Sequence, residues 1–280
     1  MPPLPPPPAR DALDQLDALL RDTAERAAAY IAGQAARRAE LTWEHKGPAD
    51  FVSHVDRTAE SMIRDALLAA HLDAVFVGEE SYDPAQGLGD ALAFVVDPLD
   101  GTTNFLHGFP WYAVSIGATW AGELVAGVVH NAATGERFSA TAGGGAWRRA
   151  TGTDAAERIA VSTVAEPARA LIGTGFPFKS AAPDLPTYLR QFARVAPATA
   201  GMRRAGSAAL DLCDVACGRF DAFWELSLSP WDLAAGVIIL KEAGATVTDP
   251  HGRPARVTHT GLCAGNPAMH AWLLDVLRTA

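Results

Sequence analysis

Apolar residues near the N-terminus recur every three or four positions, as they do on one face of a helix. They are Leu13, Leu16, Leu19 and Leu20. This spacing predicts a helix from Asp11 to about Gly33, and the same spacing further on predicts a second helix from Asp56 to His71. Ahead of both, residues 1–8 are mostly proline. Because proline lacks an amide hydrogen and has a constrained φ, we expect this segment to be an extended, disordered tail.

Beyond residue 71 the apolar residues form short continuous runs, which are typical of buried strands. Two such runs are AVFVG at 74–78 and ALAFVVD at 91–97. The stretch from Tyr112 to about Ala142 is interrupted by turn signals at Ala121-Gly122 and Thr134-Gly135, which predicts a strand meander. The first half of the chain therefore combines helices with a sheet.

Predicted helices and strands alternate in the second half, as in α/β proteins. The strands are predicted at 170–175, 220–224, 245–248 and 261–264, and the helices at 184–195, 206–217, 231–243 and 267–278. We expect residues 9–155 to form an N-terminal α+β domain and residues 156–280 to form a C-terminal α/β domain.

The composition narrows the class of protein. Hydrophobic residues are 49% and charged residues 20% of the chain, as in soluble globular proteins. The net charge of −9 repels phosphate backbones, so nucleic acid is not expected as a main partner. A membrane-length apolar run and a signal peptide are both missing, which predicts a cytoplasmic protein without a membrane partner. The three cysteines lack zinc-ligand spacing and are expected to be free thiols.

Carboxylates follow several of the apolar runs. Glu79 and Glu80 follow the first run, Asp97 and Asp100 close the second, and Asp232 follows Pro230-Trp231. Strand ends meet at the crevice where α/β proteins bind ligands, and carboxylates gathered there repel one another unless a cation intervenes. Magnesium prefers such oxygen ligands. The alternative is that each carboxylate is an ordinary turn former.

The segment 97–105 reads DPLDGTTNF and favours the metal-binding interpretation. Its proline constrains the backbone so that the two flanking carboxylates and the Leu99 carbonyl can converge. Gly101 permits close approach of the backbone, and the two threonines after it can begin a helix whose first amides bind phosphate. The pattern predicts a metal-dependent phosphoryl site, and the alternative is a capped turn that binds no ligand.

Three blocks of the chain resemble the signature blocks of the inositol monophosphatase family of magnesium-dependent, lithium-sensitive sugar phosphatases. They are GEES at 78–81, DPLDGTTNF at 97–105 and PWDLAAG at 230–236. Further similarity at 46–56, 106–117, 173–177 and 204–225 extends the resemblance over nearly the whole chain. It implies the sugar-phosphatase fold, an α/β layered sandwich in the order αβαβα, and a homodimer.

The resemblance also implies roles for individual residues, with two to three Mg²⁺ ions per active site. The metal ligands would be Glu79, Asp97, Asp100, Asp232 and the carbonyl of Leu99. The catalytic residues would be Glu79, Thr102 and Asp56. Substrate contacts would come from Gly101, Thr102, Thr103, Gly206, Ser207, Ala208 and Glu225, and the site would further include Lys46 and Glu80. On this basis the N-terminal domain would bind the metal and the C-terminal domain would complete the active site.

The implied reaction is hydrolysis of a small-molecule phosphate ester by a metal-activated water. The favoured substrate is myo-inositol 1-phosphate. Fructose 1,6-bisphosphate, histidinol phosphate and adenosine 3′,5′-bisphosphate are alternatives, although Thr103 stands where enzymes for the last two usually carry lysine. Some bacterial members also associate with the transcription machinery, which is a compatible binding function of another class.

Overall fold

The computed structural model describes residues 7–40, 43–47, 50–177 and 184–280. Most of the proline-rich tail lies outside these residues, so its predicted disorder remains a prediction. The α-helices of the described part are α1 (Arg10–Ala35), α2 (His54–Ala70), α3 (Thr102–His107), α4 (Leu185–Val195), α5 (Ala208–Ala216), α6 (Pro230–Glu242) and α7 (Pro267–Thr279). None of these helices combines the length and apolarity needed to cross a membrane.

The described strands form one hairpin and two larger sheets. The hairpin pairs β1 (Trp43–Gly47) with β2 (Asp50–Ser53). The seven-stranded sheet follows chain order through β3 (Val75–Gly78), β4 (Leu92–Asp100), β5 (Ala113–Trp120), β6 (Glu123–Asn131), β7 (Arg137–Thr141), β8 (Gly145–Arg149) and β9 (Ala156–Ile159). The five-stranded sheet contains β10 (Leu171–Thr174), β11 (Gly201–Arg203), β12 (Ala222–Leu228), β13 (Thr246–Thr248) and β14 (Thr260–Gly265), in the spatial order β11-β10-β12-β14-β13.

Pairing directions differ between the two sheets. In the larger sheet β3 is parallel to β4, and every later pair is antiparallel. The predicted turn between β5 and β6 is confirmed, since Ala121 and Gly122 both have positive φ angles, 52° and 80°. Such angles match the twist of a two-residue hairpin turn. In the smaller sheet β10 runs parallel to β11 and β12, while β14 is antiparallel to β12 and β13.

The helices form three layers around the two sheets, so the predicted αβαβα order is confirmed. Helices α1 and α2 cover one face of the large sheet, where Leu20 and Ile63 pack with Phe94. Helices α5 and α6 lie between the sheets in a second core. Helices α4 and α7 cover the outer face of the small sheet, where Tyr188 and Leu273 share a core with Trp224, β12's central aromatic residue.

Helix α6 lies close against the large sheet because two strands offer glycine beneath it. A Cβ at Gly117 of β5 would collide with Ala234, and a Cβ at Gly127 of β6 would collide with Ile238. The residues of α6 from Pro230 to Leu240 are all buried, as expected for a helix that lies between two sheets and therefore has no polar face. Its N-terminus is thereby held at the end of the sheet where β4 also ends.

Several elements differ from the sequence-based expectation. Strand β12 continues to Leu228, so the prediction that it ends at Trp224 is wrong; its pairing with β14 resumes after an irregularity. The hairpin β1–β2 and strands β8, β9 and β11 were not predicted. Strand β9 begins at Ala156 and pairs with β8 of the large sheet, and the division of the chain at residue 155 stays a prediction. The three cysteines are free thiols, as expected.

Candidate active site

A cavity of about 530 Å³ opens where the ends of β4 and β12 meet the first turns of α3, α5 and α6. Most of the predicted site residues line it. They are Glu79, Asp97, Leu99, Asp100, Gly101, Thr102, Thr103, Gly206, Ser207, Ala208, Glu225 and Asp232. The cavity therefore collects residues that are up to about 150 positions apart in the sequence.

Three buried carboxylates form the acidic centre of this cavity. One oxygen from each of Asp97, Asp100 and Asp232 lies within 4.8 Å of the others. Two of them come from the end of β4, where the pairing with β5 shifts register between Asp97 and Asp100. The third comes from the first turn of α6. Three buried like charges at this separation repel strongly, which is the arrangement that a bound cation relieves.

The two β4 carboxylates are oriented by backbone and hydroxyl donors. Asp97 Oδ1 accepts a hydrogen bond from the Leu99 amide at 3.0 Å, which closes a tight local turn. Asp100 Oδ2 accepts from Ser207 Oγ at 2.6 Å and from the Ala209 amide at 2.8 Å. Ser207 is also the N-cap of α5. The start of α5 thus holds the Asp100 carboxylate, and its amides and dipole favour the charged form.

Asp232 is oriented by the start of its own helix. Ser229 is the N-cap of α6 and Pro230 occupies the first turn. Asp232 is at position N3, where it forms a capping box with Ser229. Its Oδ2 accepts a hydrogen bond from the Ser229 amide at 2.7 Å. A capping box satisfies amides that a helix N-terminus leaves without partners. The same carboxylate therefore begins the helix and faces the acidic centre.

Asp56 lies behind the cavity and contacts it through Thr102. Its Oδ2 accepts from the Ser53 amide at 2.9 Å and from Ser53 Oγ at 2.7 Å, in the capping box of α2. Its Oδ1 lies 2.9 Å from Thr102 Oγ1, which is also 3.0 Å from the Leu99 carbonyl oxygen. Burial raises the pKa of Asp56, although the hydrogen bonds from Ser53 and Thr102 act in the opposite direction.

Two glycines adopt left-handed backbone angles at the cavity wall. Gly101, the N-cap of α3, has φ +90°, and a Cβ there would lie 2.9 Å from the Trp111 carbonyl oxygen. Gly206 has φ +93°. Asn104 holds these two segments together, because its Nδ2 donates to the carbonyls of Trp111 at 2.7 Å and Ala205 at 2.9 Å. A side chain at either glycine would strain the wall.

Glu79 and Glu80 follow β3 in a loop that is anchored from two directions. The Glu79 amide donates to the Val96 carbonyl of β4 at 3.1 Å. The Glu80 amide donates to Oε2 of Glu60, a buried residue of α2, at 2.8 Å. A Cβ on Gly78 would overlap the Glu60 carboxylate, so glycine is needed at that position. These contacts place Glu79 in the cavity wall beside the three aspartates.

Glu225 also lines the cavity, and it lies inside β12 rather than after the end of that strand. The pairing irregularity that follows it changes the course of the strand toward Leu228. The Glu225 carboxylate occupies the space beside Gly175, where any Cβ would overlap it. Glycine at 175 therefore leaves room for this carboxylate in the cavity wall.

The chain is similar to known proteins over nearly its whole length. Residues 12–280 match the model of the inositol monophosphatase family. The chain belongs to the inositol monophosphatase family. The inositol-1-monophosphatase of Rhizobium meliloti is 42% identical over 233 residues, which are 83% of this chain and 85% of that protein. The Nus factor SuhB of Pseudomonas aeruginosa is 41% identical over 240 residues, 85% and 86% of the two chains.

Among solved structures, the extragenic suppressor protein suhB of Bartonella henselae has a TM-score of 0.87 to this chain. The two are 38% identical, and the match covers 95% of this chain and 99% of that one. The predicted inositol monophosphatase resemblance and its layered fold are therefore confirmed. Membership of this family supports a phosphatase and leaves its substrate open.

Of the predicted site residues whose side chains the structure describes, Asp56 and Glu80 do not line the cavity. Glu80 is held in the loop behind Glu79, and Lys46 belongs to β1, with its side chain outside the described part of the structure. Sequence reasoning missed Glu60 and Asp211. Asp211 lines the cavity and is buried in α5, where burial, followed by the charge of Asp214, raises its pKa well above the usual value. Both acids interrupt apolar helix faces, which is the signal that was available in the sequence.

Proposed function

We propose that this protein is a Mg²⁺-dependent phosphomonoesterase that hydrolyses a small polyol phosphate, with myo-inositol 1-phosphate as the favoured substrate. The observation that carries the proposal is the cluster of Asp97, Asp100 and Asp232 in a cavity large enough for a small sugar phosphate. Metal dependence is a property of the family to which the chain belongs. Lithium sensitivity, a homodimer and a cytoplasmic location belong to the same proposal.

The donor set fits magnesium. The acidic centre offers carboxylate oxygens, and within the described residues no histidine or cysteine lines the cavity. Hard oxygen donors of this kind favour Mg²⁺ over zinc or copper. Glu79 and the Leu99 carbonyl would complete the ligands of two to three ions. When bound, the ions would supply Lewis acidity that lowers the pKa of a water and offsets charge on the departing oxygen.

Thr102 is the residue best placed to orient the attacking water. Its hydroxyl has one proton but two acceptors within reach, Asp56 Oδ1 and the Leu99 carbonyl. Whichever acceptor takes that proton, the oxygen of Thr102 keeps a lone pair that can accept a hydrogen bond from water. Asp56, fixed by the α2 capping box, holds the hydroxyl in this orientation. Glu79 lies in the same wall and would share this role.

Substrate selection would depend on Glu225, which lines the cavity from β12. The Glu225 carboxylate can accept hydrogen bonds from vicinal hydroxyl groups, and it would repel a second phosphate in the same place. The Gly101 and Thr102 amides would hold the phosphate, with Thr103, Gly206, Ser207 and Ala208 around it. This arrangement favours inositol 1-phosphate over the bisphosphate alternatives.

The test is a phosphate-release assay with four substrates in the presence of Mg²⁺. They are inositol 1-phosphate, fructose 1,6-bisphosphate, histidinol phosphate and adenosine 3′,5′-bisphosphate. We expect turnover that is highest with inositol 1-phosphate, that ends on addition of excess EDTA, and that falls by about 100-fold or more in Asp232→Asn. Full turnover in EDTA would refute the metal mechanism. A preference for another ester would keep the mechanism and change the substrate.

A transcription-associated binding function is the second candidate. It rests on the relative at 41% identity that is named a Nus factor. The net charge of −9 argues against direct contact with nucleic acid, so a protein of the transcription machinery is the expected partner of this function. A pull-down of transcription proteins with wild type and with Asp232→Asn would show whether binding and catalysis are separable.

A further inference from the structure

Three aromatic side chains meet just outside the acidic cavity, and we refer to Tyr82, Trp231 and His259 as the aromatic clamp. The Tyr82 and Trp231 rings lie edge to face with centroids 4.9 Å apart and planes inclined by 64°. The His259 ring lies 5.5 Å from Tyr82 and 5.7 Å from Trp231. Each pair has the near-perpendicular geometry that aromatic rings prefer. The rings belong to three segments that are distant in the sequence.

Each ring of the clamp is attached to a part of the chain with a different role. Trp231 is buried in the first turn of α6 and immediately precedes Asp232. Tyr82 is half-buried, three residues after Glu79, in the loop that joins β3 to β4. His259 is exposed and lies just before β14. The clamp therefore joins the loop of Glu79 to the helix of Asp232 without lining the cavity itself.

The clamp has a small apolar core beneath it. Val95, Trp231 and Ala234 form a buried cluster, against which Tyr82, Leu88 and Val257 pack. Leu88 comes from the same loop as Tyr82, so two residues of the loop rest on α6. At the other end of the loop, the Glu80 amide is held by the Glu60 carboxylate. Glu79 comes directly before Glu80 and three residues before Tyr82, and its own amide is bonded to the Val96 carbonyl, so the tyrosine contact holds the loop on the C-terminal side of Glu79.

We propose that Tyr82 is a positioning residue, which through the aromatic clamp sets the place of Glu79 relative to the three aspartates and thereby sets metal affinity. This inference rests on the proposed metal-dependent function. Glu79 is not one of the three carboxylates within 4.8 Å of each other, so its approach to a shared cation depends on where its loop is held. Groups that orient metal ligands from outside the ligand shell change metal affinity by about 10–100-fold when removed.

The experiment measures Mg²⁺ and Mn²⁺ binding to the full chain by isothermal titration calorimetry, together with the melting temperature and the metal concentration for half-maximal turnover. The variants are Tyr82→Ala, Tyr82→Phe and His259→Ala. Tyr30→Ala is the matched control, because Tyr30 is also a half-buried tyrosine but packs on the core under α1. Calorimetry reports affinity independently of turnover, so a change in catalysis cannot mimic the result.

We expect Tyr82→Ala to weaken metal binding by about 10-fold or more, and Tyr82→Phe to bind within about 2-fold of wild type because the ring contacts remain. Tyr30→Ala should lower the melting temperature without changing the affinity. Wild-type affinity in Tyr82→Ala, or an equal loss of affinity in Tyr30→Ala, would overturn the clamp alone. Absence of any Mg²⁺ or Mn²⁺ binding by the wild type would overturn the proposed metal site and the clamp with it.

Discussion

Replacement of Asp97 by asparagine should stabilise the metal-free protein while removing its activity. The three carboxylates of Asp97, Asp100 and Asp232 are buried with oxygens no more than 4.8 Å apart. At an effective dielectric constant of about 20, each ionised pair at that distance repels by about 3.5 kcal/mol. Neutralising Asp97 relieves two of the three pairs. The asparagine carbonyl can still accept the hydrogen bond from the Leu99 amide.

The full relief of about 7 kcal/mol is an upper bound, because salt screens the charges and hydrogen bonds to Asp100 and Asp232 already offset part of the repulsion. A quarter of it, about 1.7 kcal/mol, corresponds to a rise in melting temperature of about 3 °C for a chain of 280 residues. We therefore expect Asp97→Asn to melt at least about 3 °C above wild type in EDTA.

Differential scanning calorimetry in EDTA and in excess Mg²⁺ measures this effect. Wild type should gain stability on addition of Mg²⁺ because the ion binds only the folded state, and Asp97→Asn should gain less. Asp73→Asn is the control, since Asp73 is an exposed carboxylate outside the cavity. A melting temperature of Asp97→Asn at or below that of wild type in EDTA would refute the repulsion argument, as would an equal gain from Mg²⁺ in both proteins.

Three further predictions concern Glu225, the pH dependence of stability through His130, and the N-terminal tail. Glu225→Gln should lower kcat/KM for inositol 1-phosphate by about 10-fold and leave hydrolysis of an aryl phosphate nearly unchanged; equal losses would assign Glu225 a structural role. Burial, followed by the charges of Arg137 and Arg149, lowers the pKa of His130 from 6.5 to about 4. Below about pH 6.5 the unfolded state therefore binds a proton that the folded state does not, and the free energy of unfolding falls until about pH 4. Between pH 7 and pH 5, the free energy of unfolding measured in urea should fall by about 2 kcal/mol more in wild type than in His130→Leu. A pH dependence that is the same in both proteins would contradict that pKa. Deletion of residues 2–8 should change neither melting temperature nor turnover, whereas a loss of several degrees would show that the tail docks.

The elements that could be predicted are those whose signal is local. Helix α1 has apolar residues at helical spacing, and strands β3 and β4 are short continuous apolar runs, so each pattern indicates its own element. The first segment of β12 was predicted for the same reason. Its extension through Glu225 was not, because the residues there alternate less clearly and the strand continues by pairing with β14 across an irregularity. Strand β9 is mostly exposed and has no apolar pattern of its own, so it is a strand only because it pairs with β8.

The cavity shows the same distinction between local and distant information. The aspartates at the end of β4 could be placed together because the proline between them constrains the chain. Asp232 was grouped with them as a carboxylate that follows Pro230-Trp231, and its role as a metal ligand came from the family resemblance. The contacts of Glu60 with the Glu80 amide and of Ser207 with Asp100 join residues 20 and 107 positions apart. No spacing rule predicts such pairs, since they depend on how α2 and α5 pack on the sheets.

The double use of Asp56 and Asp232 has a consequence for how this chain can diverge. Each is the N3 residue of a capping box, so each has a role in folding besides its proposed role in chemistry. A descendant that abandoned catalysis and kept only a binding role would still benefit from both serine–aspartate pairs at its helix starts. The two motifs would then survive in a gene whose product no longer turns over substrate. Conversely, exchange of Asp232 for glutamate would preserve the cap and displace the carboxylate from the acidic centre. A single substitution could thus convert an active enzyme into a stable protein without catalytic activity.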